Sequence, residues 1–437
     1  MLKSVFILSA LISIQALPQS PLFLQAHAHE EVHNITGEKL IPNPEPSFHD
    51  NDGLKSLAQI CKENGFAFEE HKVTTEDGYI LTIHRIPGLL HELNETKTTF
   101  GPKPVVFLMH GMTGDASMFL LNAPFKTIGF LAVKAGFDVW LGNNRGCKYS
   151  LEHTHLKHND KTPAYWDFDF EDMGTKDLPA MINYTLNATG AEKLSLIGYS
   201  MGATQTFAGM SMIPHYFEKT VNLFVGLGPA TRLINCRAEA LKGAVADMEV
   251  IKFVFVDILK EYDFFAPTWL SSLINGEKMA IFPKSFEKFM SSFDMDPYVE
   301  ERGRIKSISG HLPSGAGYRN FIHYGQLINS DTFKRFDYGA SDNLHHYGQL
   351  TPPDYPLHAS SKLPIALFGG YDDEMADPRD VQWLAEQLGT HRVIGHYMYE
   401  KKGHLTFAFG KNMSYFEEDV IPLLHKYETE PRVMVVQ

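Results

Sequence analysis

Lys193-Leu194-Ser195-Leu196-Ile197-Gly198-Tyr199-Ser200-Met201-Gly202-Ala203 joins an apolar run to a serine set between two glycines, and a helix-forming stretch continues to Met210. The run Lys193 to Ile197 reads as a buried strand. Gly198 to Gly202 fits G-x-S-x-G, and the strand before it and the helix after it are the context that gives this pentapeptide chemical meaning. A turn this tight brings neighbouring side chains into collision, so Gly198 and Gly202 are read as packing glycines. The turn presents the Ser200 hydroxyl at the carboxyl end of a sheet. It also places that hydroxyl at a helix N-terminus, whose positive end favours developing negative charge.

Working outward, Val73 to Ile86 reads as two strands joined at Asp77-Gly78, a strong short hairpin signal. Further short apolar runs follow at Pro104–Met109, Phe137–Leu141, Val221–Leu227 and Leu363–Phe368, with helical stretches between them. Fully apolar short runs alternating with helices predict a mostly parallel α/β sheet. From Ala230 to about Tyr355 strand-like runs become scarce and aromatic and Met-rich helical segments dominate, Ile251 to Ile274 among them. This stretch is expected to be a helical cap or lid inserted into the sheet. The expected organisation is a core over 54–229, a cap over 230–355 and the remainder of the core over 356–437.

A serine hydroxyl is a poor nucleophile until a base removes its proton and a third group orients the base. In the α/β-hydrolase fold the order along the chain is Ser, then Asp or Glu, then His. The run Leu363–Phe368 leads into Gly369-Gly370-Tyr371-Asp372-Asp373-Glu374-Met375-Ala376-Asp377, whose four carboxylates spacing alone does not separate. His404 follows the β-like run Arg392–Tyr399. His396 lies inside that run, where packing is the plainer reading, and His425 lies in a terminal helix with a solvated face. A tetrahedral oxyanion needs preorganised N–H donors. The amide of Met201 is one candidate, and that of Met112, in the His110-Gly111-Met112 loop after Pro104–Met109, is the other. The chemistry requires no metal and no organic cofactor.

The chain has 437 residues, 44% of them hydrophobic and 21% charged, with a formal net charge of −13. Such acidity argues against a nucleic-acid partner, whose phosphates require Lys and Arg. Lys3 precedes an apolar run from Val5 to Ile14, with the small residues Ala16 and Ser20 beyond it. That run is too short to span a bilayer and reads as a cleaved signal peptide over 1–20, with no transmembrane helix after cleavage. Residues 21–53 read as a polar leader or propeptide, and its His27, His29 and His33 as solvated rather than metal-binding. Sequons at Asn34, Asn94, Asn183, Asn187 and Asn412 fit a secretory route, to the outside or to the lysosome. The three cysteines, Cys61, Cys147 and Cys236, are too few for a disulfide scaffold, and none is assigned to metal.

Together these residues resemble the acid lipase family, which includes gastric and lysosomal acid lipases. The resemblance runs from Leu54 to Tyr427. It is carried in order by Val73-Thr74-Thr75-Glu76-Asp77-Gly78-Tyr79, by His110-Gly111-Met112, and by Gly136 to Asn143 with Arg145-Gly146. Tyr165-Trp166-Asp167-Phe168, Asp177-Leu178-Pro179-Ala180, Pro313-Ser314-Gly315, Phe336-Asp337-Tyr338-Gly339 and Pro352-Pro353-Asp354-Tyr355 extend it. The family's acid opens a D-x-L-A-D-like string, which implies Asp373, with Asp372 as the alternative. Its base lies in an H-L-x-F string, which implies His404. Three departures stand out. Met112 replaces a common Leu, Tyr199 and Met201 flank the serine where relatives commonly carry His and Gln, and Cys236 alone falls in the expected cap, so no disulfide forms within it.

The resemblance implies an α/β-hydrolase fold and hydrolysis of neutral lipid esters, acylglycerols or sterol esters, at a lipid–water interface. The apolar residues between Ile251 and Leu270 suit a lid over a greasy substrate. A short-chain esterase or a lipid acyltransferase could use the same groups, and a non-catalytic lipid-binding protein could keep the fold. A complete Ser–Asp–His set in order counts against that last reading.

Overall fold

The computed structural model describes residues 51–93, 99–246, 248, 252–264, 294, 301–359, 362–389 and 391–428. The hairpin reading is met by β1 (Glu69–Thr74) and β2 (Tyr79–Ile86), antiparallel, with Gly78 at a positive φ of 97°. Then follow β3 (Val105–Met109), β4 (Asp138–Leu141), the two-residue β5 (Glu152–His153), β6 (Leu194–Tyr199) and β7 (Val221–Leu227). The short β8 (Asp263–Phe264) and β9 (Ala316–Gly317) pair with each other, and β10 (Ile365–Gly370) and β11 (Val393–Tyr399) complete the main sheet.

The main sheet runs β1-β2-β4-β3-β6-β7-β10-β11, with β5 on the side of β2. From β4 to β11 every pairing is parallel, while β1, β2 and β5 join antiparallel. The fold is α/β, with a mostly parallel central sheet. Alternation along each strand feeds two cores. On β6, Leu194 and Leu196 face Phe207, Met173 and Met181, whereas Ile197 and Tyr199 face the layer holding Phe130, Phe407 and Phe416. Burial on both faces explains why these strands read as unbroken apolar runs.

A buried ion cluster fastens the antiparallel edge to the parallel part. Arg145, following β4, donates from Nη1 to Asp77 (2.7 Å) and from Nε to Asp177 (2.8 Å), and its guanidinium lies 3.9 Å from the Tyr79 ring centre. The bidentate geometry suits the planar guanidinium.

The stretch between β7 and β10 departs from one expectation. The described part of Ile251–Ile274, residues 252–264, is not one continuous helix. Lys252–Ile258 forms a wide π-type turn of helix, and the chain then becomes extended in β8. Ile251 and residues 265–274 of that expectation lie outside the described residues, as do the signal peptide, most of the leader and Asn34 and Asn94. Helices Ile305–His311, Tyr318–Ile328 and Ala340–Tyr347 follow. This stretch is tied to the helix Met201–Met212 through Tyr324, whose hydroxyl donates to Thr204 Oγ1 at 2.9 Å. Among the described residues, no helix is long and apolar enough to cross a membrane.

Candidate active site

Ser200 sits between β6 and the helix Met201–Met212 with φ 53° and ψ −117°, a conformation that only a sharp, held turn imposes on a non-glycine residue. Both flanking glycines are required. A Cβ on Gly198 would stand 2.6 Å from the carbonyl oxygen of Gly202, and one on Gly202 would run into the Met109 carbonyl of β3. Ser200 N–H donates to Leu227 O at the end of β7 (2.9 Å), fixing the turn to the sheet.

The loop after β11 brings His404 to this serine. His404 Nε2 lies 2.8 Å from Ser200 Oγ, and Nδ1 lies 2.9 Å from Asp373 Oδ2. All three residues are buried. With Nδ1–H donating to the carboxylate, Nε2 is left to accept from the serine hydroxyl. The second carboxylate oxygen of Asp373 accepts from Met375 N–H (2.8 Å) and Ala376 N–H (2.7 Å), so the turn after β10 orients this carboxylate.

The neighbouring carboxylates go elsewhere. Asp372 is half-buried, with its N–H on Lys402 O. Asp377 caps the helix Pro378–Leu388 and pairs with Arg379 and Arg237. His396 is half-buried on β11, and His425 pairs with Glu428 and packs on Phe137.

The loop after β3 lies against Ser200, because a Cβ on Gly111 would stand 3.0 Å from Ser200 Cβ. Its shape is set by His110. One ring nitrogen, Nδ1, donates to Gly111 O (2.8 Å), and the other, Nε2, accepts from Asn144 N–H (3.1 Å). That pairing requires the neutral ring, and burial holds His110 below its ordinary value. The Gly111 carbonyl, also bonded by Gly114 N–H, is thereby turned into the protein. In a trans peptide the N–H points the opposite way from the carbonyl, so the amide of Met112 is directed away from His110. Met201 opens the helix behind Ser200, where N–H groups have no partner within the helix.

Gly228 carried no local signal in the sequence. It follows β7 with φ 51°, and a Cβ there would meet His404 Nδ1 at 3.3 Å and Asp373 Oδ2 at 3.4 Å. The three cysteines are all buried and free, and burial pushes the Cys61 and Cys147 thiols up to about 12.

A parallel sheet with a serine on a strand–turn–helix elbow, hydrogen-bonded to a histidine and through it to an aspartate, defines an α/β-hydrolase. The family profile described as "alpha/beta hydrolase fold" matches residues 104–411, and that of the "Partial alpha/beta-hydrolase lipase region" matches 57–123. The chain is 33% identical to Lipase member K of Homo sapiens over 382 residues, 85% of this chain and 91% of that protein. It is 34% identical to Gastric triacylglycerol lipase of Bos taurus over 380 residues, 85% and 89% of the two chains. It is 32% identical to Lysosomal acid lipase/cholesteryl ester hydrolase of Homo sapiens over 386 residues, 85% and 91%. A solved structure from Sulfolobus solfataricus has the same fold, with a TM-score of 0.52, 14% identity, and coverage of 83% of this chain and 94% of that one. The chain belongs to the acid lipase family of α/β-hydrolases, and it is a lipase-class ester hydrolase.

Proposed function

We propose that the chain hydrolyses carboxylic esters of neutral lipids, triacylglycerols or sterol esters, through an acyl-enzyme on Ser200. The observation that carries this reading is the hydrogen-bonded order Ser200–His404–Asp373 on the elbow. As the ester carbonyl is attacked, the Ser200 proton passes to His404 Nε2 and the serine oxygen bonds to the carbonyl carbon. The amides of Met112 and Met201 receive the oxyanion. Collapse breaks the ester C–O bond, and the imidazolium returns its proton to the departing alcohol. Asp373 orients the ring and stabilises its positive form. Water then enters, His404 takes one of its protons, and the acyl–serine bond breaks to release the fatty acid, the proton returning to Ser200.

Lipid as substrate is supported by the names of the relatives and by exposed apolar side chains in the stretch between β7 and β10. Phe253, Ile258 and Leu259 of that stretch are each at least half exposed. Residues 230–355 are read as a cap that meets the lipid–water interface and shields the serine from water. The secretory route suits an enzyme that acts outside the cell or in the lysosome, and exposed Asn183, Asn187 and Asn412 suit glycosylation. The test is fatty-acid release from emulsified triacylglycerol, an emulsified sterol ester and a short soluble ester, with and without an acceptor alcohol. Release from either emulsion supports the reading. Cleavage of the soluble ester alone makes the chain an esterase, and transfer to the alcohol in place of release makes it an acyltransferase.

A further inference from the structure

The peptide that joins His404 to Leu405 is held at both of its poles. Its carbonyl, on His404, accepts from the Tyr199 hydroxyl at 3.0 Å. Its N–H, on Leu405, donates to the Asp294 carboxylate, 3.2 Å from Oδ1 and 3.1 Å from Oδ2. Tyr199 immediately precedes the serine on β6, and its ring packs on the His404 ring with centres 5.4 Å apart. The same ring would meet a Cβ on Gly111 at 3.3 Å, so it also backs the loop after β3. Asp294 comes from a different part of the chain, the stretch between β7 and β10. It is fully buried and forms an isolated antiparallel bridge with the backbone of Asp373. Gly403 is the residue that lets it approach, since a Cβ there would collide with Asp294 Oδ1.

We propose that Tyr199 and Asp294 are positioning residues that clamp the His404–Leu405 peptide and thereby hold the imidazole against Ser200. This rests on the reading of Ser200, His404 and Asp373 as the reacting set. A peptide plane fixed at its oxygen and at its nitrogen leaves the preceding Cα little freedom, and the direction of the His404 side chain follows from that Cα. The inserted stretch then has a second duty besides meeting lipid, because it delivers a carboxylate that finishes the back wall of the catalytic loop. Loss of Asp294 therefore slows turnover of a small soluble ester that needs no lipid surface.

The experiment is steady-state hydrolysis of 4-nitrophenyl butyrate by wild type, Tyr199→Phe, Asp294→Ala, Asp294→Asn and Ser200→Ala, with circular dichroism to check folding. Misplacement of a reacting group by about 1 Å costs on the order of a hundredfold, so Asp294→Ala is expected to lose roughly ten- to a hundredfold in kcat with KM within about twofold. Tyr199→Phe, which removes one oxygen, is expected to lose about three- to tenfold in kcat. Asp294→Asn keeps an oxygen acceptor for Leu405 N–H and is expected to recover most of the loss. The combined Tyr199→Phe/Asp294→Ala variant is expected to lose less than the product of the two, since both act on one peptide. Wild-type kcat in both Tyr199→Phe and Asp294→Ala, with Ser200→Ala inactive, overturns the clamp and leaves the reacting set standing. A change confined to KM, or Asp294→Asn as slow as Asp294→Ala, also overturns it. Activity retained by Ser200→Ala overturns the underlying reading instead. If Asp294→Ala does not fold, Tyr199→Phe and Asp294→Asn decide the matter.

Discussion

Asp373 Oδ2 and His404 Nδ1 stand 2.9 Å apart, and the remaining oxygen of Asp373 is taken by two backbone N–H groups. The carboxylate therefore has one orientation, and it fixes the histidine proton on Nδ1. Asp373→Asn can present an amide N–H to Nδ1 and select the wrong tautomer. Its kcat is expected to fall on the order of ten-thousandfold, as the same change does in a serine protease triad. Asp372→Asn, at the adjacent half-buried position, is expected to stay within about threefold of wild type. Soluble-ester kinetics on the two variants check this directly, and a reversed order would move the acid to Asp372.

Gly228 makes a second expectation. Its φ of 51° disfavours any side chain, and a Cβ would press on the His404–Asp373 hydrogen bond. A left-handed conformation costs a non-glycine residue about 1–2 kcal/mol. Gly228→Ala is therefore expected to lower stability by about that amount while lowering kcat roughly ten- to a hundredfold. Urea denaturation and kinetics on the same sample separate the two effects. Equal kcat would mean that the loop after β7 yields without disturbing the pair.

Arg145 is expected to be the most sensitive position outside the site. Burial alone would push the Asp77 carboxyl up, yet the hydrogen bonds and charge of Arg145 hold it well below the ordinary range. Arg145→Met leaves the buried Asp177 without its cation, and removing one partner of a buried pair costs about 3–5 kcal/mol. The denaturation midpoint is expected to drop accordingly, and Arg145→Lys, which lacks the planar fork, is expected to recover only part.

The pH dependence of stability has a definite sign at Asp169. Burial, followed by the charges of Asp172 and Glu171, pushes this carboxyl up to about 8 from an ordinary 3.8. The folded state then holds a proton that the unfolded chain has released. The corresponding stability is fully present below 3.8 and is lost as the pH rises through about 8. Asp263, likewise raised to about 8 by burial, acts in the same direction. Burial lowers His84 to about 4 and His323 to about 3, so they act oppositely, but below the ordinary histidine value of 6.5. Between pH ~6.5 and ~8 the carboxyls dominate these four groups, so the melting temperature is expected to fall there. Asp169→Asn keeps a cap for Glu171 N–H and is expected to flatten that fall by on the order of a few degrees. An unchanged slope would place the proton elsewhere.

Much of this architecture was legible from residue patterns. The runs around Val106, Val139, Leu196, Phe224 and Leu367 became strands within a residue or two of expectation because burial on both faces leaves continuous apolar sequence. The elbow was legible because its two glycines are a steric requirement of one turn. The described part of the segment at 251–274 is helical over Lys252–Ile258, as read, but of π type, and it is extended at Asp263–Phe264, since a short apolar run fits a helix, a π-turn or a strand equally well until its partners are known. Gly228, Asp294 and the hydroxyl of Tyr199 left no local trace. Their surroundings are made by segments far apart along the chain, as are those that separate Asp373 from Asp372.

The most direct test of the central claim is mass spectrometry of the chain after reaction with a long-chain alkyl phosphonate ester, beside fatty-acid release by wild type and Ser200→Ala. One phosphonate per chain on the peptide carrying Ser200, with both labelling and release lost in Ser200→Ala, is the predicted result. Label on another residue, or release that survives in Ser200→Ala, would contradict Ser200 as the nucleophile.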